Sequence, residues 1–180
     1  SGDAFVMYFS ENQVTSKVAP ESPIWSLKIK DALAVKHLEE LPSGEGFLLA
    51  MHGDDEFLTA KVMKISFDGR PIWELDVPNH GELTAIKVTK NGYFLSGHKA
   101  DRFDGIDASI SKISLNGEFL WNKSFGNPKG GDLIFSGLDE GDPRLIYDEC
   151  WGITEFKNGL VLACGTGIEH CEDLDQDLTS

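Results

Sequence analysis

Polar and apolar residues alternate in short bursts along this chain. Lys64-Ile65-Ser66-Phe67 steps polar, apolar, polar, apolar, and the same steps return at Lys112-Ile113-Ser114-Leu115. A period of two is the signature of a half-buried strand. Each burst runs into Asp68-Gly69 or Asn116-Gly117, dipeptides that enter tight turns because glycine accepts positive φ without strain. A second burst follows and brings a tryptophan, Trp73 or Trp121, to the core side. The two ten-residue stretches, KISFDGRPIW and KISLNGEFLW, therefore predict two copies of one hairpin.

The register extends further back. Trp25, Trp73 and Trp121 stand at a constant interval of 48 residues, and SPIWSLKI around Trp25 matches RPIWELDV around Trp73. A second motif lies between the tryptophans. EGFLLAMHG from Glu45, NGYFLSGHK from Asn91 and NGLVLACGTG from Asn158 each read as a turn followed by an apolar strand that ends in small residues. Each is preceded by one more strand: AVKHLEEL, LTAIKVT and CWGITEF. The unit is four short antiparallel strands, A to D. A period near 48 with four strands per unit predicts an all-β fold of propeller-like blades. The constant tryptophan interval favours it over a β-sandwich of irregular strands.

On these residues the chain resembles the blades of quinoprotein-type propellers and related secreted repeat proteins. In such blades the tryptophan after the Gly-x-x-x-Trp turn docks each blade onto its neighbour. The resemblance carries that role to Trp73 and Trp121, with Gly69 and Gly117 as the turn glycines; Trp25 matches only at its tryptophan. It covers residues 5–170 by pattern, and no quinone pocket is carried over because nothing in the chain resembles one.

The expected units are a blade end at 4–31 (AFVMYFS and PIWSLKI as strands C and D), blades at 33–79 and 82–125, an insertion at 126–145 and a half blade at 146–180. Two full and two half blades do not close a ring of the usual ~4–8. The expectation is a second chain or further blades that complete the propeller, with the chain a fragment, a subunit of a cleaved precursor or a self-pairing protomer. The other arrangement joins 1–31 to 146–180 as one shared blade in a three-bladed ring.

Charge narrows the partners. The 180 residues carry a formal net charge of −14, which argues against nucleic acid and against an anionic membrane surface. No apolar run approaches the ~18 residues of a membrane span. The B–C links GDDEF from Gly53, DRFDGID from Asp101 and EHCEDLDQD from Glu169 are all acidic, and the insertion adds LDEGDP with Asp139 and Asp142. In a four-stranded meander the B–C and D–A links share one end, so these carboxylates gather on one face. Asp101, Asp104 and Asp107 frame Gly105, and Asp173, Asp175 and Asp177 alternate, as hard oxygen ligands for Ca²⁺ do. Neither stretch fits an EF-hand, and a solvated acidic rim is the competing reading. The insertion also carries the apolar patch Leu133-Ile134-Phe135, read as a binding loop or as an ornament packed over the ring.

Candidate chemistry is sparse. His52 and His98 are repeat equivalents at the ends of B strands, either metal ligands or inherited polar residues; His37, His80 and His170 are scattered. No GxSxG, HExxH, P-loop or GxGxxG motif occurs, and no catalytic residue is assigned. Cys171 and His170 are chain neighbours, which does not set them face to face. Cys150 and Cys164 flank the Lys157-Asn158-Gly159 turn and share a face if that loop has three residues, so a disulfide between them depends on register. Pairing of Cys171 with Cys150 or with an absent cysteine, and a fully reduced state, stay open. A sequon at Asn122 adds a weak pointer to secretion. The reading is a secreted or cell-surface binding or scaffold module that uses the acidic face. The alternatives are part of a propeller enzyme with its site on that face, and a cytosolic interaction propeller.

Overall fold

The computed structural model describes residues 3–53, 59–78, 80–101, 105–126 and 147–167. Strands β1 (Asp3–Tyr8) and β2 (Trp25–Lys30) form an antiparallel pair. Strands β3 (Ala32–Glu40), β4 (Phe47–Gly53), β5 (Thr59–Ile65) and β6 (Pro71–Pro78) form a four-stranded antiparallel meander. Strands β7 (Glu82–Thr89), β8 (Gly92–Asp101), β9 (Gly105–Ile113) and β10 (Phe119–Phe125) form a second one. The hairpin of β11 (Tyr147–Phe156) and β12 (Gly159–Gly167) joins it through one parallel pairing, Tyr147 with Ile106. The fold is all-β, built of blade-like sheets that close no ring among the described residues.

The link from β1 to β2 departs from the glycine-turn pattern. It carries a four-residue helix, α1 (Glu11–Val14), and β1 ends at Tyr8, two residues short of the strand the sequence predicts through Ser10. The Ser10 N–H donates to Gln13 Oε1 at 2.9 Å and starts the helical turn. No glycine precedes Trp25 at the place that Gly69 and Gly117 hold before Trp73 and Trp121.

The core explains the strand compositions. One cluster packs Ala4, Val6 and Ile29 of the β1–β2 pair against Leu49, Met51, Met63 and Ile65. The other packs Leu48, Ala50, Val62 and Val77 against Leu83, Tyr93, Leu95 and Ile113. The β3–β6 sheet is thus buried on both faces. That is why β4 opens on five apolar residues, Phe-Leu-Leu-Ala-Met, whereas a strand wet on one face would alternate.

Candidate functional site at the blade interfaces

Each sheet is pinned to the next by a tryptophan and a turn glycine. Trp25 stands opposite Tyr8, and its indole lies on Gly69: a Cβ at Gly69 would come 2.6 Å from Trp25 Cε3. Trp73 stands opposite Lys64 and lies on Gly117 in the same way, 2.7 Å from such a Cβ. Both glycines hold positive φ, 79° and 86°. Glycine is therefore required twice at each turn, by backbone and by the indole.

The serine of the repeated Lys-Ile-Ser has a role that alternation did not reveal. Ser66 N–H donates to Arg70 O at 2.8 Å, and Gly69 N–H donates to Ser66 O at 2.9 Å. Ser114, Glu118 and Gly117 repeat these bonds at 2.8 and 3.1 Å. The serine hydroxyls accept the N–H groups of Arg70 and Glu118 at 3.1 and 3.0 Å. The signal was its identity in both copies of the repeat. Trp121 completes the series in register, opposite Lys112 and edge-on to Phe94 at 6.0 Å. It is 41% exposed.

A polar cluster fills the interface between the β3–β6 and β7–β10 sheets. His80 is fully buried between sheets, with Nδ1 2.8 Å from Ser109 Oγ and Nε2 2.8 Å from Ser111 Oγ. The Asn122 amide donates to His80 Nε2 at 3.0 Å, which puts the ring proton on Nδ1, where it meets Ser109. Burial, with the neighbouring His98 second, lowers His80 from 6.5 to about 3. The ring is a neutral clamp. Asn122 is committed to this network, so a glycan on its amide is incompatible with the packing seen here.

Two neighbouring sheets supply a second group. Lys36 on β3 pairs with Glu82 on β7 at 2.6 Å, and His98 Nδ1 on β8 lies 3.6 Å from Glu149 Oε1 on β11. His98 is held below its usual value by burial; Glu82 acts against this, while His52 and Lys36 add to it. The repeat-equivalent His52 and His98 are both buried. Among the described residues no three His, Cys, Asp or Glu side chains are grouped to hold a metal ion. His37 stands apart on β3, beside Glu39 at 3.7 Å.

Cys150 and Cys164 are joined by a disulfide and directly opposed. The loop has two residues, Lys157 and Asn158, rather than the three considered from sequence, since Phe156 pairs with Gly159. A bulge between Cys150 and Gly152, at Trp151, makes up the missing step and brings the cysteines into register. Asp107 lies on β9 opposite Lys99, and Asp101 ends β8 opposite Gly105. Asp104, Leu133, Ile134, Phe135, Asp139, Asp142, His170, Cys171, Asp173, Asp175 and Asp177 lie outside the described residues.

No protein-family model matches this chain. No curated protein matches it either.

Proposed function

We propose that this chain is a binding or scaffold module, secreted or displayed at a cell surface, that forms part of a propeller wall and turns its acidic loop face to a cationic partner. The observation that carries the reading is the doubled docking of Trp25 on Gly69 and of Trp73 on Gly117. Successive sheets fixed by one repeated contact make a rigid support, which loops need in order to recognise a partner. The same contact supports the likeness to quinoprotein-type blades, because its residues are those of the Gly-x-x-x-Trp motif. The links from β4 to β5 and from β8 to β9 leave from the end opposite the glycine turns, and their sequences are acidic. Ca²⁺ on Asp101, Asp104 and Asp107, or on Asp173, Asp175 and Asp177, would relieve the repulsion, as would a basic protein surface. The Cys150–Cys164 disulfide supports an oxidising compartment.

A second reading, part of an enzyme with its site on that face, is favoured by the neighbouring ion pairs of Lys36 with Glu82 and of buried His98 with Glu149. One experiment separates them. Thermal unfolding is followed in excess calcium and in chelator, and binding of a basic polypeptide is measured at low salt. The binding module gives a calcium-dependent rise in Tm or saturable polypeptide binding. Either response is reduced when Asp101, Asp104 and Asp107 are all changed to Asn. No response to either ligand overturns the reading.

A further inference from the structure

The two ends of the described array are complementary halves of one blade. Resting on the propeller-wall reading, we propose that β12 of one copy pairs antiparallel with β1 of a second copy, with Val161 opposite Tyr8, to build a composite four-stranded blade.

The register follows from the intact sheets. Their second and third strands pair Leu48 with Lys64 and Phe94 with Lys112. Strand β12 begins on the same Asn-Gly text as β8, which sets Val161 at the place of Phe94 and Leu48. On the other side, Tyr8 faces Trp25 as Lys64 faces Trp73 and as Lys112 faces Trp121. Val161 therefore meets Tyr8, Leu162 meets Met7, and Ala163 meets Val6.

A missing neighbour marks the same place. A Cβ at Gly46 would meet Ile65 O at 2.0 Å, and one at Gly92 would meet Ile113 O at 2.5 Å. These glycines make room for the third strand of their own sheet. Gly159 is their equivalent, yet among the described residues its Cβ would meet only Phe156 O of its own hairpin, at 3.9 Å. The proposed register brings the carbonyl of Phe9 to it.

Exposure agrees from both sides. Val161 is 51% exposed where Leu48 is 0%, and Met7 is 57% exposed where Met63 is 5%. Among the described residues the outer edges of β1 and β12 pair with no strand. An apolar, unpaired edge is a template for strand addition. The third-strand pattern that fits it is carried by this chain's own β1. Within one copy, two intact sheets separate β1 from β12, and direct closure makes a ring of three blades, below the usual ~4–8. A head-to-tail pair of copies has four intact and two composite blades, within that range. In that ring Trp121 faces the β1–β2 link of the other copy, whose Val14, Val18 and Ile24 are exposed.

The test joins solution mass with cysteine trapping in a Cys171→Ser background. The proposal expects the chain at twice its 19.8 kDa. It also expects Tyr8→Cys/Val161→Cys to form a reducible covalent dimer, at least about fivefold more than the mismatched Phe5→Cys/Val161→Cys, because disulfide geometry is strict. Equal trapping of the two pairs overturns it. A 19.8 kDa species also overturns it. If that monomer is still destabilised by Trp73→Ala, the propeller-wall reading survives; if it is indifferent to Trp73→Ala, both fail.

Discussion

The indole of Trp73 fills the space that any side chain at Gly117 would need. Forty-eight residues earlier, Trp25 does the same to Gly69. The chain writes one sentence twice because one contact is made twice, between the last strand of a sheet and a turn of the next.

Gly117→Ala and Gly69→Ala should each cost about 2–4 kcal/mol, about 1 from the left-handed backbone and the rest from displacing the indole. Gly165→Ala, where an added Cβ meets nothing within 4 Å among the described residues, should stay within about 0.5 kcal/mol. Denaturant unfolding of the three variants checks the contrast. Equal effects at all three sites would argue against the docking.

Trp73→Ala should destabilise by about 3 kcal/mol, since it empties the interface beside Gly117 and Tyr93. Ser114→Ala should cost about 1 kcal/mol, because the Glu118 N–H loses its acceptor in the turn. Paired unfolding curves separate a packing loss from a lost turn hydrogen bond.

Some of this was legible in the sequence, and physics explains which part. The tryptophan interval and the glycine turns were visible because they repeat and because each residue type has few other uses. His80 was not. Its partners Ser109, Ser111 and Asn122 lie 29, 31 and 42 residues away, and no local pattern reports such a meeting. The cysteine pairing was half legible: the two strands were expected, but the register depends on the bulge at Trp151, which alternation does not encode. The acidic face was read from links whose residues lie mostly outside the described ones.

Acid should weaken the fold early. His80 binds its proton only near pH 3 when folded, against an ordinary value of 6.5. The unfolded chain therefore binds more protons through that window, and stability falls as pH drops from about 6.5 towards 3. The loss by pH 5 is up to about 2 kcal/mol, and His98, also lowered, acts in the same direction. His80→Gln should flatten the slope of stability against pH in this window. An unchanged slope would show that His80 titrates normally.

Reducing the Cys150–Cys164 bond should cost about 3 kcal/mol, given a closed loop of this size. Unfolding midpoints with and without reductant measure it, and Cys150→Ser/Cys164→Ser should reproduce the reduced value. Cys171→Ser should leave the midpoint where it is. A midpoint insensitive to reductant but lowered by Cys171→Ser would place the disulfide elsewhere.

The most direct measurement of the docking is nuclear Overhauser contact between assigned protons. Docking requires cross-peaks from the Trp25 ring to the Gly69 α-protons and from the Trp73 ring to the Gly117 α-protons, with both glycine pairs shifted upfield by the indoles. Tryptophan rings that show contacts only within their own sheets would contradict it.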